Sequence, residues 1–206
     1  MNYPTELLAP AGDEECLISA LDYGCDAVYL AGKTFGMRAG AKNFDFNAME
    51  RAVKLAHSRG VKVHLTCNTI PLNSEIDQFP AYIAQAQECG VDAAIACDLG
   101  VISMIKEYAP KLELHISTQT GVVNYRTAIE LYRMGAKRVV LAREVGLEDI
   151  RDVIAFPKVQ QREASRLPFL NFELISAKSL VFNRPLSLLK IHTLTFSVCT
   201  FLAIHF

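Results

Sequence analysis

The sequence predicts an α/β protein, a TIM-type (β/α) barrel that is incomplete, with about six strand–helix units and an atypical C-terminal tail. Three observations carry this reading. Short apolar runs alternate with amphipathic stretches, as in parallel α/β folds. Glycine recurs between a helical stretch and the next strand. No G-x-G-x-x-G follows the first strand, where Ala9-Pro10-Ala11-Gly12 stands instead. That favours a barrel over an open dinucleotide-binding sheet.

The strands are read as Leu7–Ala9, Ala27–Ala31, Val61–Cys67, Ala93–Cys97, Leu112–Ile116 and Arg138–Ala142. Each is short, apolar and mostly flanked by turn residues, as buried parallel strands are. Asp13 caps a first helix whose Leu17, Ile18 and Leu21 face inward. Asn47-Ala-Met-Glu50 reads as a capping box for a helix running to Arg59, with Ala52, Leu55 and Ala56 on its inner side. Gly24, Gly60, Gly90 and Gly135 each stand where a helix ends in the left-handed conformation. The sixth unit ends near Phe156.

Composition bounds the classes. The chain has 206 residues, 51% of them hydrophobic and 21% charged, with a net charge of −1. That excludes a disordered chain and a polybasic arm. No signal peptide and no spanning segment is read, so a reducing cytoplasm is expected. The six cysteines lack C-x-x-C or zinc-finger spacing and read as buried thiols. No metal site is expected.

The chain divides near residue 156. Residues 1–156 hold 15 Lys/Arg against 20 Asp/Glu, and residues 157–206 hold 6 against 2. All eleven glycines lie at or before Gly146. The domain reading is therefore a partial barrel over 1–156 and a divergent hydrophobic tail over 157–206. An aberrant, frameshifted ending is preferred for the tail. The alternative is a genuine ending whose strands, drawn from Phe169–Phe172 and Leu194–Ile204, cover the open edge.

A barrel carries its active site at the C-terminal ends of its strands. Asn68, Asp98, Gln119 and the Arg143–Glu144 pair fall there. Such a rim suits a polar, partly anionic small molecule. The loop Gly32–Asp45 adds Lys33, Arg38 and Lys42, a set suited to an anion or to ordinary solvation. A helix cap is the alternative for Asp98. His115 alternates with Leu114 and Ile116 and reads as a structural histidine inside the barrel; His57 and His64 are weaker candidates. No G-x-S-x-G, H-E-x-x-H or P-loop is present. No catalytic residue is assigned.

Several segments resemble one family. Glu6-Leu-Leu-Ala-Pro-Ala-Gly12, Gly24-Cys-Asp-Ala-Val-Tyr29, Leu114-His-Ile-Ser-Thr-Gln119 and Val139-Val-Leu-Ala-Arg-Glu144 with the Leu-Glu-Asp-Ile150 helix start are similar to the collagenase-like peptidase family. The resemblance covers about residues 5–155. It implies a TIM-type barrel and either peptidase activity or RNA modification, most directly the 5-hydroxylation of tRNA wobble uridine. It adds Asn124 to Arg38, Asn68, Asp98, Gln119, Arg143 and Glu144 as ligand-site candidates. For full-length members it implies prephenate, tRNA and an iron–sulfur cluster on four cysteines. The tail here holds only Cys199, so no cofactor is expected in this chain, and a truncated, non-catalytic barrel fragment is a further alternative. Open barrel edges invite self-association.

Overall fold

The computed structural model describes residues 6–37, 42–146 and 148–150 and the backbone of 203–205. Six parallel strands follow one another in sequence and in space: β1 (Leu8–Pro10), β2 (Ala27–Ala31), β3 (Lys62–Cys67), β4 (Ala93–Ala96), β5 (Glu113–Ile116) and β6 (Ala136–Val140). They form a curled half-barrel with helices between them. The helices are α1 (Glu14–Asp22), α2 (Phe46–Ser58), α3 (Asn73–Ile76), α4 (Phe79–Glu88), α5 (Leu99–Tyr108) and α6 (Tyr125–Arg133). A seventh strand, β7 (Ala203–His205), pairs antiparallel with β6, Ala203 opposite Val140 and His205 opposite Arg138. Those three residues of the tail therefore line the edge of the parallel set. The remainder of the tail, with Phe169–Phe172 and Cys199, lies outside the described residues.

Alternation along the strands sorts two faces. Val28, Leu30, Val63, Leu65, Ala94, Ala96, Leu114, Ile116, Val139 and Leu141 belong to one continuous core with helix residues such as Leu17, Met49, Ile83, Ile102 and Leu131. This layer between sheet and helices holds the fold together, each buried Leu or Ile contributing roughly 1.5–3 kcal/mol. The intervening residues line the concave inner face.

Asp13 caps α1 as expected, accepting from Cys16 N at 2.9 Å. Ile18, however, is exposed while Leu17 and Leu21 are buried. In α2 the cap is Asp45, whose Oδ1 accepts from Ala48 N at 2.8 Å, so Asn47 stands inside the helix and forms no capping box. An ionised carboxylate two residues upstream takes the free amide first. Met49, Ala52, Val53 and Ala56 form the buried stripe, and Leu55 only borders it. The helix-end glycines behave as read; Gly60, at φ 73°, lets the chain reverse from α2 into β3.

The sixth strand differs most from expectation. It begins at Ala136, directly after Gly135, and ends at Val140. A register shift between Leu114 and His115 places Arg138 opposite His115. Arg138 thus turns inward and is buried, instead of marking a strand start.

Candidate functional site

The inner face mixes apolar residues such as Ala27, Ala93, Ile95 and Val140 with buried polar ones, where barrel interiors are ordinarily filled by branched apolar side chains. His64, His115, Ser117 and Arg138 are the buried polar residues among those described, and all four lie on this face. The His64 and His115 rings meet edge to face with centroids 4.8 Å apart. Arg138 Nη1 and Nη2 donate to the two carboxylate oxygens of Glu6 at 2.6 and 2.9 Å. β1 and β6 are not neighbours in the sheet, so this pair joins the two ends of the parallel set across the concavity. His115 Nε2 also lies 3.2 Å from Glu113 Oε2. Burial, aided by the Arg138 charge and opposed by Glu113 and Glu6, pulls the His115 pKa down to about 4. His115 is therefore neutral at pH 7.

The mouth of the half-barrel is organised by residues 32–37. Phe35 holds the left-handed conformation at φ 61°, which a bulky residue adopts only under constraint. Its ring packs on Phe79 and Tyr82 at 5.0 and 5.1 Å. Its carbonyl accepts from Thr69 N at 3.3 Å and from Thr69 Oγ1 at 3.1 Å. Gly36 passes so close to the inner face that an added Cβ would come within 2.8 Å of Ala31 Cβ. Met37 N then donates to Asn68 Oδ1 at 3.3 Å, and Gln119 Nε2 meets Met37 Sδ.

Of the candidates read from the sequence, Asn68 and Gln119 are thus brought together around Met37. Asp98 caps α5, Oδ1 accepting from Val101 N at 2.9 Å. Asn124 caps α6, Oδ1 accepting from Thr127 N at 3.0 Å. Both stand on the same rim, after β4 and β5. Arg143 and Glu144 occupy an exposed turn three and four residues past β6. Arg38 lies outside the described residues. Lys33 pairs with Asp45 at 3.5 Å and Lys42 with Asp13 at 3.6 Å, both at the surface. His57 faces Asp92 at 2.9 Å, away from the rim.

Sequence reasoning missed the Glu6–Arg138 pair and the strap at Phe35. The signal for the first was a charge inside an apolar run. The second leaves no signature in residue type, because Phe35 is held by Thr69 after β3 and by Phe79 and Tyr82 of α4, all distant in sequence.

The four-thiolate cluster implied by the resemblance does not fit the described cysteines. No group of three or more His, Cys, Asp or Glu among the described residues is placed to hold a metal ion. Burial raises every described cysteine, Cys25 to about 11 and Cys67 further, and Cys16, Cys89 and Cys97 shift the same way. These are protonated thiols at neutral pH and poor nucleophiles. Among the described residues no helix is long and apolar enough to cross a membrane.

Comparison with known proteins adds the family. The model of Peptidase family U32 matches residues 12–165. An uncharacterized protease of Methanocaldococcus jannaschii is 40% identical over 148 residues, covering 72% of this chain and 36% of that one. The tRNA hydroxylation protein P1 of Bacillus subtilis is 35% identical over 148 residues, covering 72% and 35%. This chain spans about a third of the length of these relatives. A solved U32 peptidase superposes with a TM-score of 0.54 at 16% identity, over 66% of this chain and 58% of that one, and shares the fold.

Proposed function

The chain belongs to peptidase family U32, and on that premise we propose that it is the barrel portion of an RNA-modification protein. The reaction is 5-hydroxylation of tRNA wobble uridine. The rim made by Asn68, Asp98, Gln119, Asn124, Arg143 and Glu144 seats a small carboxylate such as prephenate. One observation supports this reading: the family match spans residues 12–165, and within that family the tRNA hydroxylation protein P1 is 35% identical to this chain over 148 residues. The carboxamides of Asn68 and Gln119 supply directed hydrogen bonds, and Arg143 supplies charge for a carboxylate. The iron–sulfur cluster belongs, on this reading, to the part of the family chain beyond the matched segment. A cytoplasmic location goes with tRNA as substrate. The peptidase reading has less support, since the sequence offers no recognisable nucleophile–base motif.

The test is a graft. Residues 6–150 replace the matched segment of the Bacillus subtilis relative, in a strain with no other hydroxylation route. Mass spectrometry of digested tRNA then reads hydroxyuridine. The expected result is restored hydroxyuridine, abolished by Arg143→Ala or Gln119→Ala. A soluble, folded graft that yields none refutes the proposal.

A further inference from the structure

One residue touches both carboxamides of the rim. Met37 N donates to Asn68 Oδ1 at 3.3 Å, and Gln119 Nε2 donates to Met37 Sδ. The two contacts differ in sense. A main-chain N–H can only donate, so the atom of the Asn68 amide that it meets must be the oxygen. A thioether sulfur can only accept, so the atom of the Gln119 amide that it meets must be the nitrogen. Met37 therefore sets the two amides in opposite polarity. It takes Oδ1 of Asn68 and leaves Nδ2, a donor. It takes Nε2 of Gln119 and leaves Oε1, an acceptor.

The backbone around these groups is pinned. Thr69 N and Oγ1 both donate to Phe35 O, at 3.3 and 3.1 Å, two residues before Met37. The Phe35 ring lies against Phe79 and Tyr82. Cys97 Sγ donates to Asn68 O at 3.3 Å, and Thr120 Oγ1 to Cys97 O at 3.5 Å. Gln119 N donates to Ser117 Oγ at 3.3 Å. The connections after β2, β3, β4 and β5 are thereby tied to one another, and the two amides are held by the fold itself.

A carboxylate alone cannot use both groups. Ionised, it only accepts, so it satisfies Asn68 Nδ2 and the Arg143 charge but offers nothing to Gln119 Oε1. That oxygen needs a donor on the same molecule. A hydroxyl fits, since both groups are neutral. An ammonium would bring a full charge for which a carboxamide oxygen gives no counter-charge. We infer that Met37 is a positioning residue, and that the ligand of this rim is a hydroxycarboxylate whose acid oxygen accepts from Asn68 Nδ2 and whose hydroxyl donates to Gln119 Oε1. The inference rests on the carboxylate reading of the rim, to which it adds the hydroxyl and the residue that selects it.

Calorimetric titration of the full 206-residue chain tests it, with prephenate, L-malate, succinate and L-aspartate as probes. Malate and succinate differ by one hydroxyl. Malate should bind roughly tenfold tighter than succinate, the worth of one well-made hydrogen bond, and tighter than aspartate. Gln119→Leu and Met37→Leu should each bring the malate-to-succinate ratio toward unity, the second because it frees Gln119 to turn. Gln119→Glu keeps an oxygen toward the hydroxyl and should keep the ratio while its charge weakens both acids. Asn68→Asp should also weaken both acids, yet keep slow hydrogen exchange at the Met37 amide because Oδ1 remains; Asn68→Leu should lose that protection. If Met37→Leu lowers both affinities alike and leaves the ratio unchanged, Met37 is merely structural and the inference is overturned. Malate binding no tighter than succinate, or aspartate binding tighter than malate, overturns it too, and the carboxylate reading stands so long as prephenate binds. Binding of none of the four refutes that reading and the inference with it.

Discussion

Acidification should unfold this protein through His115. Its ring is fully buried against His64, with Glu113, Arg138 and Glu6 as the charged groups around it, and its pKa in the fold is about 4 against 6.5 for a free side chain. The folded state therefore disfavours the proton that the unfolded state accepts. Stability from this group is complete above pH 6.5 and is lost as the pH falls from there toward 4. For one such group the linkage relation gives a loss of about 2 kcal/mol between pH 7 and pH 4.5. Asp13, Asp45 and Glu50, lowered by Cys16 N, Ala48 N and Lys54 respectively, lose their contributions at lower pH still. The assay is urea unfolding at both pH values, on the native chain and on His115→Asn. The variant is less stable at pH 7 but should lose about 2 kcal/mol less than the native chain on acidification. Equal losses would show that His115 is not the group being protonated, and would refute the argument.

Three further outcomes are expected. Arg138→Met leaves the Glu6 carboxylate buried without its fork and should cost about 3–5 kcal/mol, whereas Arg138→Met with Glu6→Leu should recover most of it, as denaturant melts will show. Gly36→Ala forces a Cβ against Ala31 and should cost about 1–3 kcal/mol, read as a lower melting point together with faster hydrogen exchange at the Met37 amide. Asp98→Ala should cost about 1 kcal/mol through the lost cap of α5, while Asp98→Asn keeps the cap; a hydroxyuridine loss in the graft carrying Asp98→Asn would then report the charge and not the fold.

The architecture was legible because one face of each strand packs on helices, and that face obeys simple periodicity. Val63, Leu65 and Cys67 alternate with Lys62, His64 and Thr66, and the helix-end glycines fix where each strand begins. What periodicity conceals is the identity of the second face. His115 sits among apolar neighbours in sequence and was placed inside the barrel, yet its nearest ring is His64 from β3, a contact set by register. Arg138 opens the sixth apolar run in the sequence, and nothing local marks it as buried, because its partner Glu6 lies 132 residues away. Caps were legible by type and not by position: Asp13 caps as read, whereas Asp45 takes the place given to Asn47. Asp98 and Asn124 show the same ambiguity at the site, since a carboxylate or amide at a strand-to-helix junction serves either a helix or a ligand.

The inner face gives the half-barrel its curvature as well as its polarity. Within the parallel set each strand binds only its neighbours, and backbone hydrogen bonds alone leave the angle between β1 and β6 free to open. The Glu6–Arg138 fork spans that gap with two charge-assisted bonds, and its length fixes how far apart the ends can stand. An apolar pair of equal volume would fill the space without fixing the distance, because dispersion contacts have no preferred direction. The polar lining therefore sacrifices some stability for a defined mouth. At the C-terminal ends of the same strands Gly36 lies against Ala31 and Asn68 Oδ1 accepts from Met37 N, contacts that depend on the spacing of the strands. On this argument Arg138→Met with Glu6→Leu restores melting but not the geometry of the rim: hydrogen exchange at the Met37 amide should stay fast in the double variant even where its stability has recovered.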